Sequence, residues 1–222
     1  MRRSEGRADE IVPPSLPASG AKACEFRGSD GRAEAVPFPF FMLPSFARAR
    51  LFGGKILVAI APAITDLEQL KGHPAVARLL EWNPASVVGV KFDRDEMTIY
   101  VDRENIREAC ALLRDDPECT FNFLSDITCV DWYPAEPRFE VIYHLLSIPK
   151  KERVRLKVKL DSASPAVESL TSVWPGANYF EREIFDLFGI RFTGHPYMRR
   201  LLMPEDWEGH PLRKDYPVEG YR

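Results

Sequence analysis

His195 and His210 each stand in a Gly-His-Pro triplet, and Asp186, Asp206 and Asp215 lie in the same stretch of chain. Imidazole and carboxylate groups together can hold a metal ion that activates water, or can pass a proton as base and acid. A metal-assisted hydrolase built on His195 and His210 is therefore one reading of this segment. The spacing weighs against it. Zinc-binding helices place two histidines four residues apart on one face. These two lie fifteen apart, on chain interrupted by Pro196 and Pro204. A catalytic pair also needs a rigid platform, and a ring packed at a Gly-His-Pro turn is the simpler use of each histidine. Nucleotide chemistry lacks its cradle, since neither GxGxxG nor GxxxxGK[ST] occurs. The cysteines at 24, 110, 119 and 129 have no CxxC spacing, so no zinc ribbon or ferredoxin-type cluster is expected. Cys110 and Cys129 fall in apolar segments and read as buried thiols in a reducing compartment.

Charge narrows the choice further. From His195 onward the cations Arg199, Arg200, Arg213, Lys214 and Arg222 meet the acids Glu205, Asp206, Glu208, Asp215 and Glu219. Five against five leaves no net field to gather phosphates. The whole chain, at −3, has no general attraction for nucleic acid or anionic membrane. Among the tail's charges, however, stand Tyr197, Met198, Leu201, Leu202, Met203, Trp207, Leu212, Tyr216 and Tyr221. Protein interfaces enrich Tyr, Trp, Met and Arg in this way. Such a segment can lie across a partner as a docking arm, or it can wrap back over its own domain.

The elements that must hold this segment are legible as periodicities. Residues 65–82 read as a helix capped by Thr65 or Asp66 and broken at Gly72-His73, with Pro74 opening its second half. Strands are expected at 86–92 and 97–102, joined by the charged turn Asp93–Glu96. A helix follows Asp102 over 103–116, burying Ile106, Ala109, Cys110 and Leu113 and ending at Pro117. Further strands are expected at 126–132, 138–147 and 153–160. The last alternates Val154, Leu156, Val158 and Leu160 with Arg153, Arg155, Lys157 and Lys159, which reads as a strand with one solvated face. The apolar run at 55–64 is too short to span a bilayer and reads as a strand. A final helix over 177–188 carries an apolar stripe of Phe180, Ile184, Leu187 and Phe188. Glu181, Arg182, Glu183 and Asp186 are expected on or beside its polar face, and Gly189 suits its left-handed cap. Beyond Thr193, Pro196, Pro204, Pro211 and Pro217 deny the chain a helix. The fold class is α+β: a mixed or antiparallel sheet of about five strands with two to three helices on one side. Three segments are expected: 1–50 disordered or extended, 55–192 the α+β domain, and 193–222 an extended C-terminal docking arm. Met42 is a candidate later start.

The run WPGANYFEREIFDLFGIRFTGHPYMRRLLMPEDWEGHPLRKDYP resembles the 30 kDa (C-type) subunit family of respiratory complex I, the proton-pumping NADH–quinone oxidoreductase. The family's motif is carried by Glu181 to Ile190, Phe192, Gly194 to Pro196, Arg199-Arg200 and Pro204 to Pro217. A weaker likeness at FLSDITCVDWYPAEPRFEVIYHLLS extends the resemblance over about 60–222. It implies a non-catalytic structural subunit of the peripheral arm, holding no cofactor itself, with FMN and iron–sulfur clusters in partner subunits. The implied partners are the large, D-type, hydrogenase-like chain of the quinone site and neighbouring iron–sulfur subunits. Location would be peripheral, on the cytoplasmic side of the bacterial plasma membrane. Related membrane-bound hydrogenase-type complexes use an equivalent chain, which is the alternative within the resemblance. Partner-facing residues are expected at Glu181, Arg182, Asp186, His195, Arg199, Arg200, Trp207, His210, Arg213, Lys214, Asp215 and Tyr216.

Overall fold

The structure is a computed structural model that describes residues 50–52, 55–57 and 62–220. Apart from Arg50, the segment expected to be disordered over 1–50 lies outside the described residues, as do Met42, Cys24 and Tyr221. Two short strands come first, β1 (Arg50–Phe52) and β2 (Lys55–Leu57), paired antiparallel.

The helix expected over 65–82 is two helices. Asp66 accepts from the Glu68 N–H at the start of α1 (Leu67–Leu70). The chain breaks at Gly72-His73, and Pro74 is the first residue of α2 (Pro74–Trp82), where its missing N–H costs nothing. Strands β3 (Val87–Asp93) and β4 (Glu96–Val101) form an antiparallel hairpin. Arg94 and Asp95 both take positive φ, 54° and 62°, the mirror-image turn whose twist suits a two-residue hairpin. Asp102 caps a single 3-10 turn that runs into α3 (Ile106–Asp115). Ile106, Ala109, Cys110 and Leu113 are its buried residues, as their helical spacing predicts.

After α3 the chain makes three consecutive antiparallel strands, β5 (Phe123–Asp131), β6 (Phe139–Ser147) and β7 (Glu152–Leu160). β7 slots in beside β4 and pairs with it in parallel, giving the order β3-β4-β7-β6-β5. The expected sheet of about five strands is thus present, and mixed. Val154, Leu156, Val158 and Leu160 point from the central strand into a single core with α2, α3 and α4 (Ala177–Phe188). Fully burying each such side chain is worth roughly 1.5–3 kcal/mol. One pairing escaped the periodicity: β8 (Ala166–Glu168) and β9 (Arg191–Thr193) lie parallel on either side of α4 in sequence. Three residues are too few to show alternation.

The polar-face assignment for α4 fails at two positions. Glu181 and Asp186 are both 0% exposed. Glu181 turns inward because Ser169 Oγ and the Leu170 N–H, each at 2.6 Å, meet its carboxylate. Asp186 is drawn in by the C-terminal segment.

Candidate functional site

A helix C-terminus leaves its last carbonyls without intrahelical donors. In α4 the Gly189 N–H reaches the Phe185 carbonyl at 2.9 Å, and the next three carbonyls are met by the tail. His210 Nδ1 donates to the Asp186 carbonyl (2.9 Å), the Leu212 N–H to Leu187 (3.0 Å), and Arg213 Nε to Phe188 (2.6 Å). Arg213 also brings positive charge to the negative end of the helix dipole. Gly189 makes this possible twice over. Its φ of 74° is left-handed, and a Cβ there would lie 2.5 Å from the His210 ring and 2.6 Å from Arg213 Nη2.

The Asp186 side chain organises the start of the tail. Its Oδ2 accepts the consecutive N–H groups of Leu201, Leu202 and Met203 at 2.9, 2.7 and 2.8 Å. Oδ1 takes Arg200 Nη1 at 2.7 Å. Burial would raise this carboxyl, but the four donors outweigh it and hold it below the usual carboxylate range. Arg200 then spends its other terminal nitrogen on the carbonyls of Trp207 (2.9 Å) and Gly209 (3.0 Å). Arg182 fixes the same stretch from the helix side, donating to the carbonyls of Arg199 and Arg200, each at 3.1 Å.

A second clasp closes the far end. Arg138, just before β6, grips Asp131 with Nε and Nη2 (2.9 and 2.8 Å) and Asp215 with Nη1 and Nη2 (3.1 and 2.6 Å). The Lys214 N–H adds a bond to Asp131 at 2.8 Å. For Asp131, burial pushes upward, yet Arg138 and the Lys214 and Tyr133 N–H groups together pull it down to about 2. The guanidinium of Arg138 lies between the rings of Tyr133 (5.0 Å) and Phe139 (4.9 Å). Neither Asp131 nor Arg138 was singled out from the sequence. Their pairing depends on the β5–β6 register, which sets Asp131 opposite Phe139.

The tail thus lies against its own domain at the two clasps, with outward-facing groups left over. Arg199, Trp207, Lys214 and Asp215 are exposed, while Arg182, His195, Arg200, His210, Arg213 and Tyr216 are half-buried. Tyr197 is 49% exposed with the guanidinium groups of Arg199 and Arg182 at 4.7 and 5.6 Å from its ring. Leu202 and Leu212 on the tail and Tyr179 on α4 are also exposed. His195 and His210 serve different partners. The Tyr197 N–H donates to His195 Nδ1 (3.0 Å), which leaves Nε2 to donate to the Asn178 carbonyl (3.3 Å). Burial pushes the pKa of both rings down, and neighbouring arginines add to it. Among the described residues, no three or more His, Cys, Asp or Glu side chains gather as metal ligands. Cys119 and Cys129 are buried, which pushes their thiols up to about 11 and about 12.

The architecture matches a chain of the "membrane-bound sulfane sulfur reductase (MBS), an archaeal respiratory membrane complex", with a TM-score of 0.56 and 27% identity. That likeness covers 67% of this chain and 86% of the other. The α+β fold is thus of the class of that chain of a respiratory membrane complex. Residues 99–222 match the respiratory-chain NADH dehydrogenase 30 Kd subunit family, and the chain belongs to that family. It is 55% identical over 149 residues to the C-type NADH-quinone oxidoreductase subunit from Roseiflexus sp. (strain RS-1), covering 67% of this chain and 86% of that one. The equivalent NADH-quinone oxidoreductase subunit from Citrifermentans bemidjiense is 47% identical over 150 residues, covering 68% and 92%.

Proposed function

We propose that this chain is a non-catalytic structural subunit of the peripheral arm of a proton-translocating NADH–quinone oxidoreductase. The observation that carries the reading is the strap. It is a proline-rich segment whose backbone is fixed from beneath by Asp186 and Asp131 and whose Arg200 and Asp215 side chains are gripped by Asp186 and Arg138, while Tyr197, Leu202 and Trp207 remain 49%, 60% and 39% exposed. Large side chains held rigid on an outer surface suit docking, because little freedom is left to lose on association. The partners in this reading are the large hydrogenase-like chain of the quinone site and the adjacent iron–sulfur subunits. FMN and the clusters reside in those chains, and electrons pass from NADH to quinone through them. The chain sits on the cytoplasmic side of the plasma membrane. Among the described residues no helix is long and apolar enough to cross a bilayer, and in this reading the partners hold the chain at the membrane.

The interface comprises Arg182, His195, Arg199, Trp207, Lys214 and Tyr216, with Arg200, His210, Arg213 and Asp215 holding the strap in shape. Glu181 and Asp186, expected at the contact from the sequence, are enclosed within this chain and act from behind it. The test is assembly in a host lacking its own copy. Arg199→Ala combined with Trp207→Ala should reduce recovery of the large hydrogenase-like chain in a mild-detergent pull-down by about tenfold. Glu219→Ala, at the exposed end, should not. Normal recovery with the double variant overturns the reading.

A further inference from the structure

The sheet has two faces, and the helices pack on one. On the other, strand register sets Lys91, Thr98, Arg155 and His144 in one row. Tyr100, Lys157 and Ile142 form the next row. Ile142 is only 8% exposed, so long polar side chains crowd an apolar centre on a face where, among the described residues, no helix packs. Three clefts corrugate this surface. One of about 310 Å³ lies by Arg153, one of about 200 Å³ between Arg94 and Lys157, and one of about 340 Å³ by Tyr100 and Lys159.

The charges here are arranged, not merely numerous. Along β7 the outward residues are Arg153, Arg155, Lys157 and Lys159. The inner two are neutralised, Arg155 by Glu96 and Lys157 by Glu140 at 2.5 Å. Lys91 pairs with Asp93 at 3.0 Å. Among the described residues Arg153, Lys159 and, at the rim, Arg94 have no carboxylate within ion-pair distance. Among the acids lining these clefts, Asp126, at the edge strand β5 opposite His144, and Asp102, whose carboxylate caps the turn before α3, stand outside those pairs. Lys159 instead lies 5.6 Å from the Tyr100 ring, with Lys157 at 5.8 Å on the same ring. The unpaired cations thus mark the two ends of the central strand, roughly 20 Å apart at ~3.3 Å per residue, with Tyr100 and Ile142 between.

We propose that this open face is a second docking surface, separate from the strap, for an acidic segment of a partner protein. That segment carries carboxylates spaced to meet Arg153 and Lys159, and an apolar side chain between them that packs on Tyr100. Charge complementarity selects it. A basic or neutral segment would leave both end cations facing solvent or like charge.

The test uses the full chain and a fluorescein-labelled extended peptide with paired glutamates at its ends and a leucine between them, read by anisotropy. Binding should weaken as salt rises. Arg153→Glu with Lys159→Glu should reduce affinity by about tenfold or more, and Arg153→Gln with Lys159→Gln by less. Tyr100→Ala should weaken it without changing the salt slope. Arg191→Glu, an exposed cation on β9, should leave it unchanged, and circular dichroism confirms that each variant folds. Equal affinity of wild type and both double variants overturns the proposal. So does tighter binding of duplex DNA than of the peptide, self-association that the charge reversal abolishes, or a Lys159–Lys22 crosslink within the free chain.

Discussion

Glu181 offers the sharpest physical test of the interior. Its carboxyl is fully enclosed between α4 and the Ser169–Leu170 loop. Cys110 on α3 and Tyr143 on β6 are the titratable groups coupled to it, and both are themselves pushed upward by burial. Among the described residues no cation pairs with it, and burial outweighs the two hydrogen bonds and lifts its pKa from 4.5 to about 7. Below 4.5 the folded and unfolded chains both hold the proton. Between 4.5 and about 7 only the folded chain does, so stability falls as pH rises through that window. Above it the loss is complete and constant. At about 1.4 kcal/mol per pH unit the window amounts to roughly 3 kcal/mol. Glu181→Gln keeps an acceptor for the Leu170 N–H but cannot ionise. Urea unfolding of both proteins, followed by tryptophan fluorescence, should therefore show the variant gaining about 3 kcal/mol on the wild type between about pH 5 and about pH 8.5. A difference between the two proteins that stays flat across that range would refute the reasoning.

Gly189→Ala forces a Cβ into left-handed backbone and against the His210 ring. It should cost about 2 kcal/mol or more and speed tryptic cleavage within the strap. Arg138→Gln strands the buried Asp131 and should destabilise by about 3 kcal/mol in denaturant titrations. Asp215→Asn, on the half-exposed arm of the same clasp, should cost under about 1 kcal/mol. Asp131, held at about 2, contributes stability that is complete above its ordinary 3.8 and lost as pH falls toward about 2. Asp131→Asn should flatten that acid limb in pH-dependent melts. A high-salt or alkaline wash should release the chain from membranes, as western blotting of the two fractions will report.

Much of the fold was legible because its signals are local. The break at Gly72-His73, the Pro74 start, the alternation of β7 and the Gly189 cap each depend on residues adjacent in sequence. The site was less legible because its bonds are distant. Asp186 is organised by residues 14 to 17 positions away, and Asp131 by Lys214, 83 away. Glu181 is a different kind of miss. It follows Ala177 by four residues and precedes Ile184 by three, which places it on the buried stripe. Its charge disguised its position. A carboxylate on the apolar arc of a helix is itself the signal of an enclosed partner, here Ser169 and the Leu170 N–H.

The prolines that deny the tail a helix are compatible with rigidity because its order comes from elsewhere. The N–H groups of Leu201, Leu202 and Met203 converge on one carboxylate, and three tail groups converge on the last carbonyls of α4. A segment removed after Thr193 would strip those carbonyls and the Asp186 carboxylate of their donors and open them to water. At a net of about 0.5–1.5 kcal/mol for each hydrogen bond lost, that is a large share of a domain's whole stability. The strap is therefore bonded into the fold that it decorates, and deletion is not expected to separate docking from folding. Substitution can, because the groups that hold the strap down and the groups that look outward are different residues. On α4, Asp186 meets Arg200 and His210 of the strap and Phe188 meets Arg213, whereas Arg199, Leu202 and Trp207 face solvent. If docking is the strap's purpose, truncating the outward group should abolish assembly at an unchanged melting temperature, and disturbing the inward group should lower both together.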